Sequence, residues 1–372
     1  MAARTRTPYF AVRVAGQDIT PWVGSVQVVE DDRQADNFSL TVNDPRLAYA
    51  DALIEGCHAE IDLGYAETGQ HALMLRALIT KVETGYPENG APTVRLHGED
   101  GSIVMGLDEK NRKFKNTTVT AIVRKVADEH RFGTVETRLV PDPKVVEEHQ
   151  AGVTDLAFLQ DLATRHHAKC FVELDERDRE VLYFVPERHI VRLRRPDTLV
   201  LRYRMGPDSN LMSFSPAFDT GYVDQVKEIN DLDDEGRTVR SPQPPPAEVA
   251  LWPLPTDLRD RVNAADHARM KALYEAGAKG KEELQRTLLS RRKKVGAVAR
   301  DQAELDSTGG SLESRRLGMT ASGTTVGTIW LRAKSNVEIR GVHTRFAGQW
   351  YVSSATHTID GNGYRTDFRC VR

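Results

Sequence analysis

Cysteine is scarce in this chain: Cys57, Cys170 and Cys370 are the three among 372 residues. An odd, widely spaced set excludes a disulfide framework and fits a reducing compartment. No run approaches the ~20 apolar residues of a membrane helix. Met1 to Pro8 lacks the apolar core of a secretory signal. These absences predict synthesis in the cytoplasm without membrane insertion. Charge of one sign is missing too: 51 Lys and Arg against 54 Asp and Glu give a net charge of −3. That balance supplies no field for specific nucleic-acid binding. There is no G-x-x-x-x-G-K-[ST] or G-x-G-x-x-G phosphate loop and no G-x-S-x-G nucleophile elbow.

What is present is strand patterning at both ends. Phe10, Val12 and Val14 alternate with polar or small residues. So do Phe38, Leu40 and Val42, then Ala59, Ile61 and Leu63, then Val94 and Leu96. Period two means one buried and one wetted face. Asn43-Asp44-Pro45 and Glu88-Asn89-Gly90 supply turns. The last fifty residues return to this pattern through Val337 and Ile339, Trp350 and Val352, and Tyr364 to Cys370, with a hairpin turn at Asp360-Gly361-Asn362-Gly363. A β-rich start and end around a different middle predicts terminal segments that pair in one discontinuous domain.

The middle is α+β. Val119, Ile122, Val123, Val126 and Ala127 have helical spacing, with Thr118 as the cap and Gly133 expected to close the end in a left-handed conformation. A second helix begins at Thr154, with Val153 expected to staple onto Phe158. Strands follow at Lys169 to Leu174 and Glu180 to Val185, around a charged turn from Asp175 to Arg179. Asp231 to Gly236 reads as an acidic turn, and Ser241 to Thr256, with six prolines, as an extended linker. Residues 257–305 read as helix despite Gly277, Gly280 and Gly296, and Ser307 to Gly323 as a polar, Gly-rich stretch.

Candidate chemistry is thin. His166-His167 with Cys170 has metal-ligand residue types, but adjacent helical side chains point about 100° apart and no fourth ligand stands nearby. A helix end is the preferred reading. The carboxylate pairs Asp128-Glu129 and Glu147-Glu148 and the group Asp233 to Glu235 sit in polar stretches, where nothing separates their pKa values for acid–base work. Ser353-Ser354, His357 and His343 read as strand residues. Arg291-Arg292-Lys293-Lys294 is flanked by acids and reads as a solvated helix face. No catalytic, cofactor-binding or metal residue is assigned, and no cofactor is expected.

Two stretches carry a family resemblance. In "HQAGVTDLAFLQDLATRHHAKC" the positions Gln150, Thr154, Asp155, Phe158, Leu159, Leu162 and Ala163 resemble a segment of phage late control protein D and of the valine-glycine-repeat spike proteins of type VI secretion. The family usually has Gly where this chain has His167-Ala168. Thr117 to Phe132 is similar to the family's preceding helix. From Leu331 to Arg372, His357, Gly363, Tyr364 and Thr366 resemble its closing strands, and Ile19 to Asp44 its first hairpin.

The resemblance implies a mainly β, α+β chain with two tube-like β-barrel domains, one of them discontinuous, and a smaller helix-containing insertion. In that division 1–107 begins the outer β domain and 108–204 is the inserted α+β domain. Residues 205–230 return to the outer domain, 231–317 are a Pro-rich linker and charged helical insertion, and 318–372 supply the closing strands. It implies a non-enzymatic hub of a contractile phage tail or related injection system, made in the bacterial cytoplasm and built into the particle. The expected partners are two further copies of itself (a homotrimer), the tail tube protein, the spike protein and other baseplate components. Without a long C-terminal β-helix after the closing strand, a separate spike protein is expected to supply the tip. A tail-tip cell-wall hydrolase or adhesin is the alternative.

Overall fold

The fold is described from a computed structural model, which covers residues 7–140, 142–166, 168–186, 189–190, 198–218 and 254–289, then 319–372, with five short strand segments between 227 and 299. The N-terminal strands are β1 (Pro8–Val14), β2 (Gln17–Asp18), β3 (Val23–Asp31), β4 (Asn37–Asn43), β5 (His58–Tyr65), β6 (Gln70–Gly85) and β7 (Thr93–Glu99), with the short α1 (Tyr49–Ala52) after β4. Then come β8 (Glu109–Thr118), α2 (Val119–Glu129), β9 (Val135–Thr137), β10 (Lys144–Thr154), α3 (Asp155–Arg165), β11 (Ala168–Leu174) and β12 (Glu180–Pro186). β13 (Leu199–Arg202) and β14 (Leu211–Phe218) follow. The short strands β15 (Lys227–Glu228), β16 (Asn230–Leu232) and β17 (Thr238–Arg240) precede α4 (Leu258–Arg261) and α5 (Ala264–Leu289). β18 (Lys293–Lys294) and β19 (Val298–Ala299) lead to the closing strands β20 (Met319–Val326), β21 (Ser335–Arg340), β22 (Gly348–Asp360) and β23 (Gly363–Val371).

The architecture is mainly β. One sheet runs β14-β20-β23-β22-β3-β4-β7-β6-β5-β1-β2, with β21 joined to β22 and β13 to β21. The two ends of the chain meet in it, because β22 pairs with β3 from Ile359↔Val26 to Ser354↔Asp31. Strand β22 changes neighbour at Ser353: residues before it pair with β21, residues after it with β3. The register shifts at the same place against β23, the local bend that a bulge produces. An isolated parallel bridge joins Tyr203 to Leu211.

Among the described residues three large apolar cores result, beside a small cluster of Phe171, Val185 and Ile190. The first gathers the inward residues of β1 to β7, among them Val12, Phe38, Ile61 and Leu96, with Ile329, Ile359 and Tyr364. The second gathers Leu201, Leu211, Val337, Ile339, Trp350, Phe368 and Cys370. The third belongs to the middle region, where Ile122, Val126, Leu159 and Leu162 pack on Phe114, Val172 and Phe184. Each follows from strand or helix periodicity that puts apolar side chains on one face.

Gly327 sits where the first core meets the closing strands. A Cβ there would lie 2.1 Å from the Tyr364 ring, and the Tyr65 hydroxyl donates to the Gly327 carbonyl at 2.8 Å. Gly327→Ala is therefore expected to lower unfolding stability by about 1–3 kcal/mol through overpacking, read as a shifted urea midpoint with an unchanged slope.

Several local expectations need correction. Gly133 does not close α2; Arg131 takes the left-handed position (φ +61°), directly after the helix end at His130. Val153, expected to staple onto Phe158, is 39% exposed, and Phe158 also stacks on Phe114 from β8 at 5.6 Å. The helix expected over 257–305 is described over 258–261 and 264–289, and Lys293–Lys294 and Val298–Ala299 are strands. Met319 to Gly323, read as a polar stretch, belongs to β20, because its Ala321 and Met319 face the second core. Most of the linker from 241 to 256 and the acidic group 233–235 lie outside the described residues.

Candidate functional site: a clamped ribbon and a buried ionic junction

Strands β8 and β10 form a two-stranded antiparallel ribbon. Such a ribbon is marginal alone, so something must hold it. The motif from Gln150 to Ala163 does so. Thr154 caps α3 by accepting from the Ala157 N–H at 3.2 Å, as Thr118 caps α2 through Ala121. Phe158, Leu159, Leu162 and Ala163 fill the third core. Asp155, 1% exposed, collects cations from the ribbon and from α2. Lys110 reaches it at 2.5 Å, Arg112 donates to its other oxygen, and His130 Nε2 lies 2.7 Å away. Burial pushes the Asp155 carboxyl up, but Lys110, His130, Gln150 and Arg112 together hold it below the usual range. Fully buried Gln150 accepts from Arg112 Nε at 2.7 Å and donates to the Val153 carbonyl and to Asp155. The motif is a clamp on the ribbon.

A buried ionic junction joins β3, the residue before β4, β11 and the segment before β21. Lys334, 1% exposed, donates to both Asp36 oxygens at 3.0 Å and to Glu173 at 3.3 Å. Its ammonium also stands 4.8 Å over the Phe171 ring, a favourable cation–π placement. Arg332 pairs with Glu30 and with Glu173, and donates to the Met74 carbonyl. Lys169 and the Tyr351 hydroxyl meet at Asp32. Lys334 holds φ at +62°, a conformation that costs a non-glycine residue on the order of 1 kcal/mol or more and persists where surrounding contacts enforce it.

The acids of the junction are only partly offset. Burial pushes the Asp36 carboxyl up, with Lys334 opposing it. Asp100, which accepts from the Asp36 and Ser102 N–H groups, is pushed up to about 7 by burial and by neighbouring Asp36. A second buried group titrates in the opposite direction. His357, 0% exposed, holds its Nδ1 2.9 Å from the Tyr364 hydroxyl, and burial lowers it from 6.5 to about 4.

Their linkage to stability has opposite signs. Unfolded His357 binds its proton below about 6.5 and the folded residue only below about 4, so its contribution is lost as pH falls through that window. Asp100 keeps its proton to about 7 when folded but only to about 3.8 when unfolded, so its contribution is lost as pH rises from about 4 to 7. Between pH 4 and 6.5 these two contributions should thus nearly cancel. Urea unfolding of His357→Gln should show stability falling as pH rises across this range. Asp100→Asn should show it rising, each by roughly 2–4 kcal/mol. Parallel slopes in the two variants would refute the assignment.

The residues singled out for chemistry fall elsewhere. Glu129 is bound by Lys110 and Arg112 and its carboxyl is held low, burial notwithstanding. Glu147 is lowered by Lys113 first and also by Lys115, and Glu148 pairs with Arg165. A general acid needs the reverse shift. His166 ends α3, His167 lies outside the described residues, and Cys170 is a core residue whose thiol burial pushes up to about 12. Among the described residues no group of three or more His, Cys, Asp or Glu is placed to hold a metal. Ser353, Ser354 and His357 lie on β22, whereas His343 stands in the turn between β21 and β22. Sequence reading missed the junction. Its one local signal is Glu30, which continues the inward phase of Val26 and Val28.

No protein-family model matches the sequence, and no curated protein does. Solved structures do match. The 43 kDa tail protein of prophage MuSo2 from Shewanella oneidensis is similar over 98% of both chains, with TM-score 0.64 and 12% identity. A tail protein from Neisseria meningitidis is similar over 98% of this chain and 97% of its own, with TM-score 0.63 and 14% identity. An Escherichia coli protein described as a type VI secretion component similar to T4 tail proteins matches 97% of this chain and 76% of its own, with TM-score 0.59 and 12% identity. The chain has the fold of these tail proteins.

Proposed function

We propose that the protein is a structural hub of a contractile phage tail or phage-tail-like injection system, a homotrimer that joins a sixfold tail tube to a threefold spike. The observation that carries the reading is the near end-to-end likeness to two tail proteins. In this reading the two strand sets that share β22 are two tube-like barrels, one of β1 to β7 with β22 and the other of β13, β14 and β20 to β23, and their strands come mainly from 1–107, 205–230 and 318–372, which form one discontinuous outer β domain. The insertion 108–204 holds them in register. The bridge from Tyr203 to Leu211 supports closure of the second set, since it links β13 toward β14. Two similar barrels in each of three subunits give a ring of six, and closing it hides strand edges that otherwise invite aggregation. The role is architectural: the carboxylates near the ribbon are tied to cations, and no reaction is assigned.

Cryo-electron microscopy of the purified protein with its tube and spike proteins tests this. A threefold ring seated between tube and spike is expected. A lone protomer that binds neither component, or clear lysis of peptidoglycan by the protein, would overturn it.

A further inference from the structure

The unit built from β8 to β12, α2 and α3 has its own core. A row of polar groups seats it on the large sheet. Strand β11 has two faces, as its period of two requires. Cys170 and Val172 point into the unit's core. On the other face Lys169 pairs with Asp32 at 3.3 Å, Phe171 lies under the Lys334 ammonium, and Glu173 pairs with Arg332 and Lys334. Nearby, Gln160 Nε2 donates to the Arg33 carbonyl at 3.4 Å and Arg76 to the Asp178 carbonyl at 3.0 Å. Polar contacts of this kind fix an orientation, yet water can replace them when the two sides part.

Asp100 stands where the chain crosses this seat. It follows β7 directly and opens the turn Gly101–Gly106 that leads to β8. Asp100 is 4% exposed, and its carboxylate accepts from two neutral donors, the Asp36 and Ser102 N–H groups, each at 2.7 Å. Its own N–H donates to the Asp36 carbonyl at 2.8 Å. The Asp36 carboxylate, bound by Lys334, faces it from the approach to β4. Cys170 of β11 lies within its field. Glu180, at the start of β12, sits against Gly101, where a Cβ would lie 2.8 Å from the Glu180 Oε1. Among the described residues no cation pairs with Asp100. Ionising it in place therefore buries a second carboxylate charge beside Asp36 with no cation of its own, and burial penalises such a charge.

We infer that Asp100 is a proton-operated hinge: with its carboxyl protonated the unit stays seated on the large sheet, and with the proton gone the seat opens and Asp100 gains water. Burial and the Asp36 charge push this carboxyl up to about 7 in the seated form, against 3.8 for an exposed aspartate. The seated form binds the extra proton between those values. Opening therefore becomes easier as pH rises from about 4 to 7, by about tenfold per unit, and levels off above that.

Hydrogen exchange read by mass spectrometry on the intact protein tests this, each rate corrected for the intrinsic pH dependence of amide exchange. Asp100 itself holds the Asp36 and Ser102 N–H groups, so peptides spanning them report the hinge. Peptides from the middle of β3 and β22 report opening of the sheet. Hinge peptides should exchange faster than sheet peptides, and their protection should fall about tenfold per unit from pH 5 to 7. Asp100→Asn should remove that slope. Asp36→Asn, which leaves Asp100 titratable beside a neutral amide, should shrink the total change several-fold. A flat wild-type profile or a slope that survives Asp100→Asn would overturn the inference. So would a change in Asp36→Asn as large as in the wild type, or hinge and sheet peptides that exchange at one common rate.

Discussion

Replacing Asp155 with alanine is expected to destabilise the middle region by about 3–5 kcal/mol, the range for leaving buried ionic partners uncompensated. Lys110, Arg112 and His130 all converge on this carboxylate, which is 1% exposed. Without it, Lys110 and Arg112 keep Glu129 but lose their buried carboxylate partner, His130 loses its contact, and Gln150 loses one of its acceptors. The effect should be local. Limited proteolysis should cut between 108 and 155 well before the large sheet, whose cores share no side chain with the clamp. Asp155→Asn should recover only part of the loss, because an amide accepts hydrogen bonds without carrying charge. Uniform cleavage across the chain, or a loss under 1 kcal/mol, would show that the clamp does not hold the ribbon.

Lys334→Met should cost a similar ~3–5 kcal/mol by a different route. Its ammonium is shared by Asp36 and Glu173, buried carboxylates from β4's approach and from β11. Removing it strands negative charge beside Glu30 and Asp100, with Arg332 and Lys169 as the remaining cations. The stranded acids then take up protons more readily. Asp36, already pushed up by burial, loses the cation that opposed the shift, so the variant's deficit should shrink as pH falls from 8 to 5. Adding Asp36→Asn should return a large part of the stability at pH 8, because an amide needs no counter-charge. A deficit that does not change with pH, and no rescue by Asp36→Asn, would mean that Lys334 contributes packing rather than charge. Both measurements are urea midpoints on the intact protein.

Much of this molecule was readable along the chain. The strands of both ends follow from alternation alone, since Val12, Phe38, Ile61 and Leu96 each fall on the inward phase. Thr118 and Thr154 were recognisable caps because capping involves a side chain and a backbone three residues away. Local reading failed where two local solutions compete. Glycine is the usual left-handed residue, yet Arg131 takes that position and Gly133 does not. The stacking of Phe158 on Phe114, 44 residues back in β8, had no local signal.

Periodicity, caps and turns are set within a few residues of one another, so the sequence by itself determined most strands of both ends and the helices that follow Thr118 and Thr154. The tertiary structure alone decided where charge is buried. Glu30, Asp36, Glu173 and Lys334 meet from positions about 300 residues apart at the extreme. Each is an ordinary polar residue in its own neighbourhood. They become a junction only when four chain segments exclude water from the same few ångströms, and that exclusion makes their pairing obligatory.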